Sequence, residues 1–337
     1  MPKMKVVQVP DAGAEFQLVE REIPDPPAGY VRIRVLACGI CHSDAMTKDG
    51  LYPGVTYPRV PGHEVAGVVD ELGAGVTAFT RGEHVGVGWH GGHDGTCSEC
   101  RRGDFVNCPN ALVCGISYDG GYGQYMVAPD AAVARMPTSL DPTEAAPLLC
   151  AGLTTFNSLR HSGARAGDLV AVQGIGGLGH LGIQFAQKLG YRVAAVGRGP
   201  ENAALARKLG AHVYIDSADT DAAAELQKLG GARAILATAP SAKAMSSVID
   251  GLRPNGSLLV VGAGADPIEV TPLQLIRGRK RIQGWYSGVA SDSEDTLRFA
   301  EIAGVRPMIE RFPLAKAADG YARMMSGQAQ FRCVLTM

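Results

Sequence analysis

The 337 residues carry 32 Lys and Arg against 33 Asp and Glu, a formal net charge of −1, and 46% of them are apolar. That balance excludes a nucleic-acid or membrane partner recognised by bulk charge, and no apolar run approaches the roughly 20 residues that span a bilayer. The length exceeds that at which one core stops growing, so two domains are expected; the first ten residues alternate like a strand (Val6, Val7, Val9) and lack a secretion leader's apolar stretch, so a cytoplasmic, soluble protein is expected.

In chain order, the first half offers short β-branched runs, Tyr30 to Leu36, Val65 to Val69 and His84 to Val87, separated by Gly, Pro and Asp. This is the pattern of a loop-rich antiparallel domain. Two stretches within it each read as half of a metal site: Cys38-Gly39-Ile40-Cys41-His42-Ser43-Asp44 and Gly62-His63-Glu64-Val65-Ala66-Gly67. Zinc prefers thiolate and imidazole, and Cys150 is the best third ligand. An ion held by three protein groups keeps a position open for substrate, which points to a catalytic metal. The eight cysteines (38, 41, 97, 100, 108, 114, 150 and 333) cluster and do not form a disulfide-like spacing, which also favours metal ligation.

Near residue 150 the pattern changes to strands alternating with helices, the mark of a parallel sheet. Leu169 to Gln173 is a buried-strand run that leads into Gly174-Ile175-Gly176-Gly177-Leu178-Gly179-His180, after which Leu178, Leu181, Phe185 and Leu189 recur at helical spacing. A G-x-G-x-x-G between strand and helix binds a dinucleotide: the glycines permit the turn, the approach of the pyrophosphate and the packing of helix on strand. Strands are expected at Tyr191 to Val196, His212 to Ile215, Ala234 to Ala237 and Ser257 to Val261, with helices at Glu201 to Leu209 and Ser241 to Leu252. The position that in NAD-binding domains carries an acidic residue is Gly197, followed by Arg198; losing a carboxylate and gaining a guanidinium favours NADP, with NAD possible. From about Tyr286 the tail, with a helix around Thr296 to Ala303 and a strand at Arg332 to Thr336, returns to the first domain.

Over its whole length the sequence resembles the zinc-dependent medium-chain alcohol dehydrogenases. The resemblance rests on Gly62-His63-Glu64 with Gly67, Gly73 and Val76 following, on Cys41-His42-Ser43-Asp44, on Cys150-Ala151-Gly152-Leu153-Thr154 and on the dinucleotide glycines. It implies an α/β chain with a GroES-like β-barrel catalytic domain at 1–149 and 287–337, a structural zinc lobe at about 90–110, and a doubly wound Rossmann dinucleotide-binding domain at 150–286. It further implies Cys41, His63 and Cys150 as catalytic zinc ligands, Glu64 as an acidic group able to approach that zinc, and Asp44 as the carboxylate that orients the histidine.

Ser43 resembles the hydroxyl that takes the alcohol proton. Many members place a histidine three residues beyond it, where this chain has Met46, which carries no proton. His42 and Arg332 correspond to contacts of the cofactor pyrophosphate, Thr154 to one beside the nicotinamide, and Gly174, Gly176, Gly177, Leu178 and Gly179 to its binding turn. Trp89 and Tyr52 fall where members line the substrate pocket, with Trp285 nearby. The family's second zinc lobe uses four cysteines; here Cys97, Cys100 and Cys108 are in register and Asp94 takes the first position, with His93 as its competitor.

The activity implied is reversible hydride transfer between a primary or aromatic alcohol and a nicotinamide cofactor, by a homo-oligomer, dimer or tetramer. The alternative is a non-catalytic cofactor-binding structural or sensor protein of the same fold.

Overall fold

The computed structural model describes residues 2–337, and Met1 lies outside the described residues. Its contacts divide the chain into one unit running to Leu153 and resuming at Gly288–Met337, and a second of Thr154–Ser287. The second unit therefore begins after Cys150, so that cysteine belongs to the first unit and not, as expected, to the start of the second.

The first unit is built on a seven-stranded sheet in the order Ile309–Pro313, Arg332–Thr336, Tyr30–Ile40, Val65–Leu72, His84–Val87 and Val133–Arg135, with Tyr125–Pro129 also paired to Tyr30–Ile40. The long strand Tyr30–Ile40 alternates buried Val31, Ile33 and Val35 with more exposed partners, then becomes buried throughout from Ala37 to Ile40, where it passes between two neighbours. One antiparallel neighbour sets Cys38 opposite Val65, and the other sets Ile40 opposite Cys333. These registers bring Cys41, just after one strand, beside His63 and Glu64, just before the next, and beside Arg332, which opens a third. The core beneath contains Val31, Ile33, Ile40, Val65, Tyr122, Met126 and Leu335.

The second unit holds a six-stranded, all-parallel sheet in the order Val213–Asp216, Arg192–Gly197, Leu169–Gln173, Ala232–Ala237, Leu252–Val260 and Arg281–Gly284. Counted along the chain this is the order 3-2-1-4-5-6 of a dinucleotide-binding sheet, which binds its ligand where the order reverses, beyond the carboxyl end of the first strand. That end is Gln173, followed by Gly174 at φ +96° and the helix Gly179–Lys188, whose first turn no side chain caps. A Cβ at Gly179 would lie 1.9 Å from the Gly174 carbonyl, while a Cβ at Gly176 would meet nothing within 4 Å. One glycine packs helix on strand and the other leaves the turn open. Gly179→Ala should therefore lower stability by about 1–3 kcal/mol, the usual cost of overpacking, in denaturant or thermal unfolding. Gly176→Ala should leave it near wild type.

Candidate metal centres

The first cluster joins Cys41, His63, Glu64 and Cys150, whose ligand atoms all lie within 4.8 Å of one another. Cys150 sits in a π-helical turn, Leu148–Gly152, that follows the helix Pro142–Pro147. Such turns widen a helix locally and recur at functional sites. Its sulfur is 4.0 Å from that of Cys41. The hydrogen bond between the two, helped by the neighbouring His63 charge, holds the Cys41 thiol well below its ordinary range and pushes Cys150 well above it. The pair thus keeps one thiolate and one proton.

Asp44 is 1% exposed, and its Oδ1 lies 3.0 Å from His63 Nδ1. Burial disfavours a charged His63, but Asp44 and Cys41 outweigh it and raise its pKa well above the ordinary value. With Nδ1 engaged, His63 Nε2 remains buried without a partner, and so does Glu64 Oε2. The other Glu64 oxygen accepts from Arg332, which also donates to the Ile40 carbonyl at 3.3 Å. Burial pushes the Glu64 carboxyl up to about 7 despite Arg332. Unsatisfied buried polar atoms cost about 1–3 kcal/mol each, so an orphaned imidazole nitrogen and carboxylate oxygen facing two sulfurs mark a ligand site. Two sulfurs and one nitrogen suit zinc.

Gly39 is part of this arrangement, because a Cβ there would fall 1.8 Å from Glu64 Oε2. Trp89 packs edge-on against His63, with ring centroids 4.8 Å apart, and Tyr52 packs edge-on against Trp89 at 6.3 Å. Met46, Tyr52 and Val55 join Trp89, Val113 and Ile116 in one apolar cluster. Ser43 opens the short helix Asp44–Lys48, yet its hydroxyl caps nothing in that helix. His42 beside it is exposed.

Asp94, Cys97, Cys100 and Cys108 form the second cluster, again within 4.8 Å. Asp94 Oδ1 accepts from the backbone of Thr96 at 2.8 Å and Cys97 at 2.9 Å, and Oδ2 from Asn110 at 2.6 Å. The Asn110 amide and these N–H groups hold its pKa below the usual carboxylate range. A carboxylate has about four lone-pair sites, so three donors leave one for a metal. His93 does not join the cluster: its ring stacks on Phe105 with centroids 4.2 Å apart. Cys38, Cys114 and Cys333 are buried outside both clusters.

In the second unit, Tyr214 Oη donates to the Gly199 carbonyl at 2.6 Å and Asp216 accepts from Gly199 N–H at 2.9 Å, which fixes the backbone around Arg198 while its side chain is exposed. Trp285 stacks on His161. Thr154 is 9% exposed at the start of the unit. Arg332 is 4% exposed and committed to Glu64, a partner that nothing in the sequence announced.

Residues 27–138 match the alcohol dehydrogenase GroES-like domain, and residues 177–302 match the zinc-binding dehydrogenase family. An alcohol dehydrogenase of Penicillium expansum is 44% identical over 97% of this chain and 96% of its own length. The chain belongs to the zinc-dependent medium-chain alcohol dehydrogenases. Two solved members share the fold: a cinnamyl alcohol dehydrogenase of Sorghum bicolor, with TM-score 0.89, 30% identity and coverage of 99% of this chain and 98% of that one, and a CAD from Helicobacter pylori complexed with NADP(H), with TM-score 0.88, 26% identity and the same coverages. The protein is thus an NAD(P)-dependent oxidoreductase acting on alcohols, with a GroES-like and a Rossmann-type domain. Among the described residues no helix of this dehydrogenase is long and apolar enough to cross a membrane.

Metal analysis of the purified dehydrogenase should give about two zinc ions per chain. Asp94→Ala should leave about one and lower the melting temperature, whereas Cys150→Ser should lose the other ion. Because Cys150 and His63 must shed protons to bind, zinc retention at the first cluster should weaken as pH falls.

Proposed function

We propose that this dehydrogenase oxidises primary, preferably aromatic, alcohols and reduces the corresponding aldehydes, with NADP(H) as the preferred cofactor. Cys41, His63 and Cys150 would hold the catalytic zinc, with Glu64 as an occasional ligand, and Asp94, Cys97, Cys100 and Cys108 a structural one. When bound, zinc favours the deprotonated form of a hydroxyl and polarises a carbonyl, and the nicotinamide accepts or returns hydride. The protein's part is to orient and to move the proton. Asp44 holds the imidazole of His63 with its free nitrogen toward the cluster. Ser43, whose hydroxyl has no capping duty, takes the alcohol proton. Gly174, Gly176, Gly177, Leu178 and Gly179 receive the pyrophosphate, and Thr154 lies beside the nicotinamide.

The observation that carries the substrate reading is the apolar cluster of Trp89, Tyr52, Met46, Val55, Val113 and Ile116 against His63. Flat apolar walls favour an aromatic ring over a short aliphatic chain. Each methylene-sized contact is worth about 1–3 kcal/mol of discrimination, so benzylic or cinnamylic alcohols should exceed ethanol in kcat/KM by about a hundredfold. Trp89→Ala should erase most of that ratio. Equal kcat/KM values in the wild type would overturn the substrate reading.

The cofactor reading is carried by Arg198, exposed on an immobilised turn next to a residue with no side chain. Charged hydrogen bonds are worth about 1.5–3 kcal/mol, a factor of about 10–100. Arg198→Ala should raise KM for NADP(H) by that factor and leave NAD(H) almost unchanged. A Gly197→Asp exchange is a poorer test, since a Cβ at Gly197 would lie 2.9 Å from Tyr214 Oη. A cytoplasmic homo-oligomer fits the composition and the family; sedimentation would give its order.

A further inference from the structure

Tyr122 is the largest fully buried side chain among the described residues, at 0% exposure, and its hydroxyl donates to Asp44 Oδ2 at 2.8 Å. The same oxygen accepts the Cys41 N–H at 2.9 Å, while Oδ1 faces His63. A carboxylate tied by one bond can pivot about it. Two donors on one oxygen restrain its plane, and so place the other oxygen, which lies 3.0 Å from the imidazole Nδ1.

The tyrosine is itself locked. Its N–H donates to the Pro61 carbonyl at 3.0 Å, and its carbonyl accepts from Val7 N–H at 2.7 Å. Its ring lies on Gly62, the residue before His63, where φ is +105° and a Cβ would come within 2.5 Å of Tyr122 Cδ1. The segment that carries the ligand histidine and the segment that carries the tyrosine are therefore joined twice, once through backbone and ring and once through Asp44. Burial and the Asp44 charge push the phenol well above its ordinary pKa, so it remains a donor at working pH. Packing alone would be satisfied by phenylalanine, which fills the same space; the hydroxyl is what needs explaining.

We infer that Tyr122 is a positioning residue of the catalytic centre: its hydroxyl, acting through Asp44, sets the orientation of His63 and thereby the retention of the metal held by Cys41, His63 and Cys150. This rests on the proposed reading of that cluster as a zinc site. Outer partners of a metal-ligating histidine typically change metal affinity or activity by about 10–100-fold when removed.

The test is Tyr122→Phe in the zinc-loaded enzyme, with zinc release to a chelator followed by a colorimetric indicator. The ion of the Asp94 lobe serves as an internal reference, identified by its absence in Asp94→Ala. Release from the first cluster should be about tenfold faster, release from the lobe unchanged, and kcat reduced with KM for the cofactor unaltered. In Asp44→Asn the further Tyr122→Phe exchange should add nothing, because the tyrosine acts through that carboxylate. Release of both ions at wild-type rates, or equal acceleration of both, would reduce Tyr122 to packing and overturn the inference alone. A Cys150→Ser variant that retains the wild-type zinc content would overturn the reading of the cluster, and this inference with it.

Discussion

The first cluster depends on how one strand pairs with its two neighbours. Tyr30–Ile40 sets Cys38 opposite Val65 on one side and Ile40 opposite Cys333 on the other. Strand side chains alternate with a period of two, so a slip of one residue on either side would turn a ligand or its supporting residue to the wrong face. The register is guarded by positions where a side chain cannot fit. A Cβ at Gly67 would come 2.4 Å from the Arg34 carbonyl, and one at Gly39 would occupy the place of the Glu64 carboxylate. The same small residues that let the strands approach leave room for the charged groups.

Those charged groups are expensive. Asp44, Glu64 and Arg332 are all almost fully buried, and a buried ion pair exchanged for apolar residues of the same volume is often no less stable. Stability therefore does not account for the pairs. Charge balance at the cluster does. Two thiolates, Asp44 and Glu64 would concentrate negative charge in a dry site, and a divalent cation held there would, together with Arg332, offset most of it. Glu64, pushed to about 7, is the group nearest to giving up its charge, and one of its oxygens is unpartnered. It can change its protonation while Asp44, tied by two hydrogen bonds on one oxygen and paired with His63 through the other, keeps its place.

Much of this was legible in the chain. The glycine turn was readable because strand, glycines and helix follow one another without interruption, and Asp94 because three cysteines fixed its register. The register already favoured Asp94 over His93; what spacing cannot show is that His93 is stacked on Phe105. The helix Ala222–Lys228 and the edge strand Arg281–Gly284 went unread. The helix is a run of alanines with little periodicity, started by the Asp221 side chain capping Ala223 and Ala224; the strand contains a single apolar residue, Ile282, because edge strands need few. Tyr122 and the Arg332–Glu64 pair were beyond sequence reasoning for a different cause. Each joins residues more than seventy positions apart through a polar atom, and no local pattern encodes such a contact.

Met46 marks where two demands on one wall of the site conflict. It packs with Trp89 and Tyr52, and Trp89 lies against His63 itself. A side chain there that relayed protons would need water or a hydrogen-bonded neighbour, and either would wet a surface that otherwise excludes solvent from the cluster. Methionine instead fills irregular space and contacts aromatic rings favourably. With that wall apolar, the proposed route for the proton runs on the side of Ser43, whose hydroxyl caps nothing and whose neighbour His42 is exposed. On the proposed reading, the residue that carries no proton also lines the surface that an apolar substrate would meet. That reading would divide specificity and proton transfer between the two ends of the same short segment, Ser43 at its start and Met46 one turn later.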